Sequence, residues 1–422
     1  MFTSITGMVS RLRVSGFFHI FFSNILNMAI AFVTGIILVR VLSKSDYGIY
    51  SYANNVFSIF IIFNGLGATS AALQLCSETD DKAKRDALSN FGYLFGAKFS
   101  FLLCLIILFV AAFIPLPVDG SSQLLGFLFL LPLFIFLNEM QKVVLRSELR
   151  NSQYAYSNIV ATFFILVGTV AGAFLWSTTG LIIGRYLAVL MSIIVVAVVF
   201  HSLPRRKAQK ASRDEKKPFR RIALVSSLNN GLGELTYLIG TFIVGIALST
   251  SEAVAVYQVA TMIPIALNFI PLSIVVFIYP YFARNKENHL WVWKNYKRVM
   301  AVTMIICIAL SLFCIIGASL IIKIVFGAQY LEAVPPFRIL MAGFALASSL
   351  RLISGNLLVT QRKLLFNSVV AGGSILLLVA LNIILVPKYG IVGASVAQAT
   401  MLVLSGCAST VYFAKLVRRS NC

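Results

Sequence analysis

The sequence predicts an all-α polytopic membrane protein of twelve transmembrane helices, in two six-helix lobes around a central cavity. Composition carries the first part of that prediction. Of 422 residues, 59% are hydrophobic and only 12% are charged. Soluble domains carry about 25% charged residues, so this chain has too few polar side chains to cover a water-facing surface. Twelve apolar runs of about 20 residues carry the second part, because a bilayer core of about 30 Å needs that length of helix. The third is the placing of the charge. The net charge is +21, and the cations fall in short gaps between the runs.

The runs lie near 16–39, 49–75, 91–114, 122–141, 153–175, 181–203, 222–248, 253–281, 299–322, 334–359, 366–386 and 391–414. Backbone groups in lipid must bond internally, so each run should be helical. The first run, Gly16–Val39, is longer than the h-region of a signal peptide and reads as a membrane helix. With the N-terminus inside, 27 of the 35 basic residues fall in inner segments and four, Arg40, Lys44, Lys323 and Lys388, fall in outer gaps. This bias, the means by which inner-membrane proteins set their orientation, places both termini in the cytoplasm. Trp176 stands at an outer span end and Trp291 and Trp293 in an inner gap, where indole rings anchor at the interface.

The longest polar stretch, 204–221, divides the runs six and six. It reads as a basic cytoplasmic linker between an N-terminal lobe, 1–203, and a C-terminal lobe, 222–422, and its charge suits contact with anionic membrane lipids. An even number of spans per lobe makes the lobes parallel repeats, with the substrate site between them. "DYGIYSYANNVF" and "EAVAVYQVATMI", at the openings of runs 2 and 8, show weak internal similarity.

Several chemistries are excluded. Basic residues in span gaps do not form the exposed patch of a nucleic-acid binder. No P-loop, HExxH or GxSxG motif is present, and short outer loops leave no room for a sugar-processing active site. Cys104, Cys307, Cys314 and Cys407 lie in apolar runs, Cys76 borders a basic loop and Cys422 is terminal. None has metal or disulfide-framework spacing, and no cofactor or metal is indicated.

Polar residues inside the runs mark candidate substrate contacts. Run 7 carries Ser227, Asn230, Glu234, Tyr237 and Thr241 on one face, at steps of three and four. Run 1 carries His19, Ser23, Asn27 and Thr34, run 2 Ser51, Asn55 and Ser58, and run 8 Gln258, Thr261 and Asn268, with Pro264 and Pro271 expected to break the helix. Such faces suit a wet cavity rather than lipid, the alternative being hydrogen-bonded contact between packed helices. Glu234 lies about 18 Å along its run at 1.5 Å per residue, too deep to snorkel, and calls for a cavity or a cationic partner. Arg351, about eight residues from the inner end of its run, and Lys98, about seven residues in, can reach either the interface or a cavity, whereas Arg185 and Arg338 are within snorkelling reach of the outer end. Arg338 and Arg351 point to different sides of a straight helix. Glu139 should pair with Lys142 or Arg146 at the inner surface. Four intramembrane cations against two acids favour an anionic substrate, for which arginine is suited to phosphate oxygens.

At run 2 the sequence reaches family-specific residues. "LVRVLSKSDYGIYSYANNVFSIFIIFNGLGATSAALQ" resembles the opening of Wzx-type polysaccharide and O-antigen flippases, of the multidrug/oligosaccharidyl-lipid/polysaccharide exporter superfamily. Arg40, Leu42, Asp46, Tyr47, Gly48 and Tyr50 match that family's pattern. "LNIILVPKYGIVGASVAQAT" resembles its later turn at Pro387, Tyr389, Gly390, Gly393 and Ala394. The glycines would serve sharp turns and close helix approach. Ala255 departs from the family, which usually has glycine there, and Glu234 stands where relatives often have aspartate.

The resemblance implies a flippase, not an enzyme, that moves undecaprenyl-diphosphate-linked oligosaccharide repeat units between leaflets by alternating access. It implies Arg351, Lys98 and Arg185 as diphosphate partners, with Asn230, Tyr237, Asn27 and Asn55 lining the cavity. Glu234 and His19 are candidates for coupling to a proton or sodium ion. A polysaccharide polymerase and a chain-length regulator are the implied protein partners. The alternative is a cation-coupled multidrug exporter of the same superfamily, which would want an acid-lined cavity.

Overall fold

The computed structural model describes residues 17–202 and 210–419. Arg11 and Arg13, counted among the inner basic residues, the first residue of run 1, linker residues 204–209 and Cys422 lie outside them. The described residues form helices α1 Phe17–Val41, α2 Lys44–Ile61, α3 Ala68–Ser77, α4 Lys82–Phe113, α5 Ser121–Phe127, α6 Leu131–Ser147 and α7 Asn151–Phe200. They continue as α8 Arg213–Leu248, α9 Ser251–Leu267, α10 Phe269–Arg284, α11 His289–Ile316, α12 Ala318–Val325, α13 Val334–Ala347, α14 Ser354–Thr360 and α15 Leu364–Arg419. No strand occurs among the described residues.

Local chemistry sets the helix starts. Ser43 caps α2, accepting from the Asp46 amide at 3.0 Å, and the Asp46 carboxylate lies in the first turn, where the helix dipole favours it. Asp81 caps α4. Ser212 and Glu215 cap α8 reciprocally: the Ser212 amide donates to the Glu215 carboxylate, and the Glu215 amide to the Ser212 hydroxyl.

Among the described residues, nine helical stretches are long and apolar enough to cross a bilayer, or ten when the bent pair α5–α6, at 47°, counts as one span. Two of them are far longer than a bilayer requires. The 50-residue α7 carries the expected runs 153–175 and 181–203, and the 56-residue α15 carries 366–386 and 391–414. Each breaks midway. In α7 the break is at Trp176 and Ser177 (Ser177 φ 50°), and in α15 at Gly390 (φ 56°).

The α7 break folds its two arms against each other. A β-carbon on Gly172 would lie 2.0 Å from the Gly180 carbonyl oxygen, and one on Gly184 1.9 Å from that of Gly168. The pairs 168/184 and 172/180 are both centred on residue 176, so the arms are antiparallel and their backbones touch. Each arm supplies one GxxxG, the spacing that lets helices approach closely in lipid. The α15 arms meet similarly, with Gly393 against the Leu385 carbonyl.

Other runs are broken too. Run 2 kinks at Asn64–Gly67, where Gly65 and Gly67 have positive φ. Asn64 fixes the kink by donating to the Pro132 carbonyl and accepting from the Ser100 hydroxyl. Run 8 parts at Asn268 into α9 and α10, between the two prolines that the sequence expects to break it. Run 10 contains a π-helical turn, Ser348–Ile353.

The described residues divide into two compact units. The first holds residues up to Asp46, Val56–Leu116 and Gly120–Gly231. The second holds Tyr47–Asn55, Pro117–Asp119 and the chain from Leu232. The first unit packs Ala72, Leu88, Phe136, Met140 and Phe219 in its core, and the second Phe282, Tyr296, Ile353, Leu357 and Phe413. Lys142 in the first unit pairs with Glu139, but Lys142 is itself nearly buried, so this is not the surface pair expected from the sequence. Cys76, Cys104, Cys307 and Cys314 are buried free thiols, whereas Cys407 is exposed.

Candidate functional site

The most developed polar site lies in the second unit around Arg351. A π turn closes through i→i+5 bonds and is frequent at functional positions. Here it carries Arg351 and Ser348 out of the register of a straight helix. Two features of α15 hold the turn. The Thr410 hydroxyl donates to the Leu350 carbonyl at 3.2 Å. Gly406 also lets α15 press on the turn, since a β-carbon there would meet the Arg351 nitrogen at 3.1 Å.

The Arg351 guanidinium lies against α8. Nη2 donates to the Thr236 hydroxyl at 3.2 Å, and that hydroxyl donates in turn to the Gly233 carbonyl at 2.7 Å. The guanidinium carbon stands 5.5 Å from the centre of the Tyr237 ring, within range of cation–π attraction. Gln398 of α15 ties the same stretch down by donating to the Thr236 carbonyl at 3.3 Å. Nη1 of Arg351 and Oε1 of Gln398 are buried without hydrogen-bond partners.

These groups line a cavity of about 50 Å³ with Tyr257, Thr261, Asn268 and Ser348, walled by Pro264, Leu340 and Phe344. Among the described residues lining it, Arg351 is the one charged group and no carboxylate is present. A buried arginine N–H without an acceptor carries an unmet desolvation cost. An anion entering this space would supply the missing acceptor through a charge-assisted bond. The volume has room for water, not for the 300–1,000 Å³ of a ligand pocket.

The other sequence-derived candidates divide as follows. Tyr237 joins the Arg351 site, while Glu234 and Asn230, one and two turns earlier on the same face, are exposed. No ion pair engages Glu234 among the described residues. Asn55 is buried in the second unit and donates to the Leu238 carbonyl at 3.1 Å, its own carbonyl oxygen unpartnered. In the first unit, Asn27 also has a buried, unpartnered carbonyl oxygen. His19 is exposed and lines a separate groove of about 230 Å³ with Ser23 and Tyr156. Arg185 stacks 5.4 Å from the centre of the Phe57 ring. Lys98 lines a groove of about 600 Å³ in the first unit with Lys216 and Arg220. Lys98 and Arg351 therefore serve different cavities.

The motif residues sit at helix ends. Arg40 is exposed near the end of α1, and Asp46 accepts from the Ser177 hydroxyl at 3.2 Å. Tyr47 is buried, with its hydroxyl 3.6 Å from the Met262 sulfur and its ring edge-on to Tyr330. A β-carbon on Gly48 would lie 1.9 Å from the Ser251 carbonyl oxygen. Pro387 and Tyr389 are exposed just before the Gly390 break. Sequence reasoning missed Thr236 and Gln398. Thr236 is one residue before Tyr237 and off the polar stripe, and Gln398 lies in a run read only for its turn motif.

The family profile described as polysaccharide biosynthesis protein matches residues 37–335. The chain belongs to that family. An uncharacterized membrane protein of Methanocaldococcus jannaschii is 23% identical over 406 residues, spanning 87% of this chain and 77% of that protein. Among solved structures, an inward-facing MATE-family multidrug resistance transporter of the MOP superfamily superposes with a TM-score of 0.75 at 14% identity, covering 94% of this chain and 95% of the other. The lipid II flippase MurJ in an inward closed conformation also superposes with a TM-score of 0.75, at 15% identity, covering 97% and 91%. The resemblance to Wzx-type polysaccharide flippases agrees with the family match, and the fold is the one seen in these solved membrane proteins.

Proposed function

We propose that this family member is a flippase for diphosphate-linked oligosaccharide lipids, carrying undecaprenyl-diphosphate-linked repeat units of a surface polysaccharide across a bacterial inner membrane. The supporting observation is the Arg351 guanidinium, held by a π turn, stacked on Tyr237 and retaining a buried donor without an acceptor. A phosphate oxygen is the acceptor that best suits that donor. Tyr237, Tyr257, Thr261 and Asn268 offer the mixed aromatic and hydrogen-bonding wall that sugars need. The multidrug exporter reading is weaker, because a site for organic cations needs a carboxylate and the lining has none.

In the conformation described, the cavity admits water only. Loading requires Leu340 and Phe344 to part from Pro264 and Ile265, and alternating access supplies that opening. Twelve passes, one for each arm of α7 and α15, is the count we propose, with both termini cytoplasmic and with lobes 1–203 and 222–422 joined by the 204–221 linker. Glu234 and His19, both exposed titratable groups, are the proposed coupling sites for a proton or sodium ion. A polymerase and a chain-length regulator are the proposed recipients of the flipped lipid.

The test is complementation of a flippase-deficient strain with Arg351→Ala and Arg351→Lys. The reading requires lipid-linked repeat units to accumulate on the inner leaflet with Arg351→Ala. Arg351→Lys should restore transport only in part, because an ammonium keeps the charge and loses the planar fork. Full polymer from both variants would remove Arg351 from the site.

A further inference from the structure

The groove around Lys98 is a second basic site, and the Arg351 site does not account for it. It lies wholly in the first unit, between α4 and the start of α8, with a volume of about 600 Å³. Its floor is an aromatic ladder. Phe91, Phe95 and Phe99 stand one turn apart on α4, with ring centres 5.8 and 4.9 Å apart. Phe219 of α8, fully buried, meets Phe91 edge-on at 5.1 Å and locks the two helices together. Lys216 and Arg220, also one turn apart, reach over Phe91 at 5.7 and 5.9 Å. Lys98 lines the same groove from α4.

Three cations therefore face one groove. Among the described residues, none of the three has a carboxylate partner, and no carboxylate lines the groove. Structural ion pairs do not explain them. The groove also exposes hydrocarbon, since Leu94 is 65% and Leu224 46% exposed. A soluble anion would use the cations and leave the Phe and Leu surface idle. An acyl chain alone would leave the charges idle. An occupant that uses both carries a phosphate and a hydrocarbon tail. Lysine and arginine clusters beside membrane helices bind anionic lipid heads in this way.

We infer that the groove formed by Lys98, Lys216, Arg220 and the Phe91–Phe95–Phe99 ladder binds an anionic phospholipid of the bilayer, with its phosphate among the cations and an acyl chain along the rings. The site links the basic first turns of α8 to lipid charge. It stands independently of the substrate proposed for Arg351.

The test uses the full chain purified in detergent and titrated with phosphatidylglycerol or phosphatidylcholine of identical chains, with bound lipid counted by native mass spectrometry. One variant is Lys98→Gln/Lys216→Gln/Arg220→Gln. Its charge-matched control, Lys82→Gln/Lys84→Gln/Lys217→Gln, changes exposed lysines of the same two helices that do not line the groove. Each cation near an anionic lipid surface is worth about fivefold in affinity. The triple variant should therefore lose the tight phosphatidylglycerol site by about a hundredfold. The control and phosphatidylcholine binding should stay unchanged, and Lys98→Gln alone should give a fivefold loss in protein that keeps its fold. Equal phosphatidylglycerol binding in triple variant and control overturns the inference. So does displacement of the lipid by inorganic phosphate, or preference for a polyprenyl diphosphate over phosphatidylglycerol at this groove.

Discussion

Gly172→Ala tests the α7 hairpin most sharply. In helices, alanine is better than glycine by about 1 kcal/mol, so a glycine with room beside it should be improved by the change. At Gly172 the new β-carbon would sit 2.0 Å from the Gly180 carbonyl oxygen. Relieving that overlap requires the arms to separate by about 1 Å, because the obstacle is backbone and cannot rotate away. Overpacking costs about 1–3 kcal/mol, and an unyielding carbonyl places this site at the upper end. The net expectation is a loss of about 2 kcal/mol. Gly373→Ala is the internal reference: nothing lies within 4 Å of its β-carbon, so it should gain about 0.5–1 kcal/mol. Unfolding free energies in mixed micelles, followed by far-UV circular dichroism, give both values. Adding Gly180→Ala to Gly172→Ala should cost less than the sum of the two, since either one already separates the arms. Shifts of the same sign and size for Gly172→Ala and Gly373→Ala would refute the close approach.

Other consequences are as direct. Thr410→Val keeps volume but removes the donor to the Leu350 carbonyl; it should cost about 1 kcal/mol and lower transport by loosening the π turn, measured by complementation beside unfolding. Tyr47→Phe loses the buried hydroxyl's contacts to Ser51 and to the Met262 sulfur and should cost about 0.5–1.5 kcal/mol, whereas Tyr47→Ala empties a buried aromatic site and should cost about 3–5 kcal/mol. Glu139→Gln leaves the nearly buried Lys142 ammonium without its carboxylate. After discounting for the half-exposed Glu139, that should destabilise by about 1–2 kcal/mol, and Lys142→Met in the same background should recover it.

The helical class and the positions of the apolar runs were legible because each depends on local composition. Breaks were legible only where residue type announces them. Pro264 and Pro271 flank the Asn268 break, and Gly390 was named as a turn. The Asn64–Gly67 kink was not read, although its two glycines stand in plain view, because its geometry is fixed by Pro132 and Ser100 far along the chain. The paired GxxxG spacings of α7 were also visible but unread, since spacing shows a face and not the face opposite. At the site, Arg351 and Tyr237 stood out by residue type. The π turn that sets Arg351, and Thr236 and Gln398 that meet it, depend on α15 packing against α13 and α8, which periodicity does not encode. The polar stripe of α8 meets several environments: Ser227 and Thr241 are buried, Asn230 and Glu234 exposed.

The most direct measurement of the central claim is transport in proteoliposomes, with a fluorescent polyprenyl-diphosphate oligosaccharide and, separately, a lipophilic cationic dye. The account predicts that the wild-type protein moves the diphosphate lipid between leaflets and leaves the dye. Arg351→Ala should slow lipid movement by about 10- to 100-fold, the equivalent of one charge-assisted hydrogen bond of about 1.5–3 kcal/mol. Dye movement with no lipid movement, or lipid movement that Arg351→Ala leaves untouched, would contradict it.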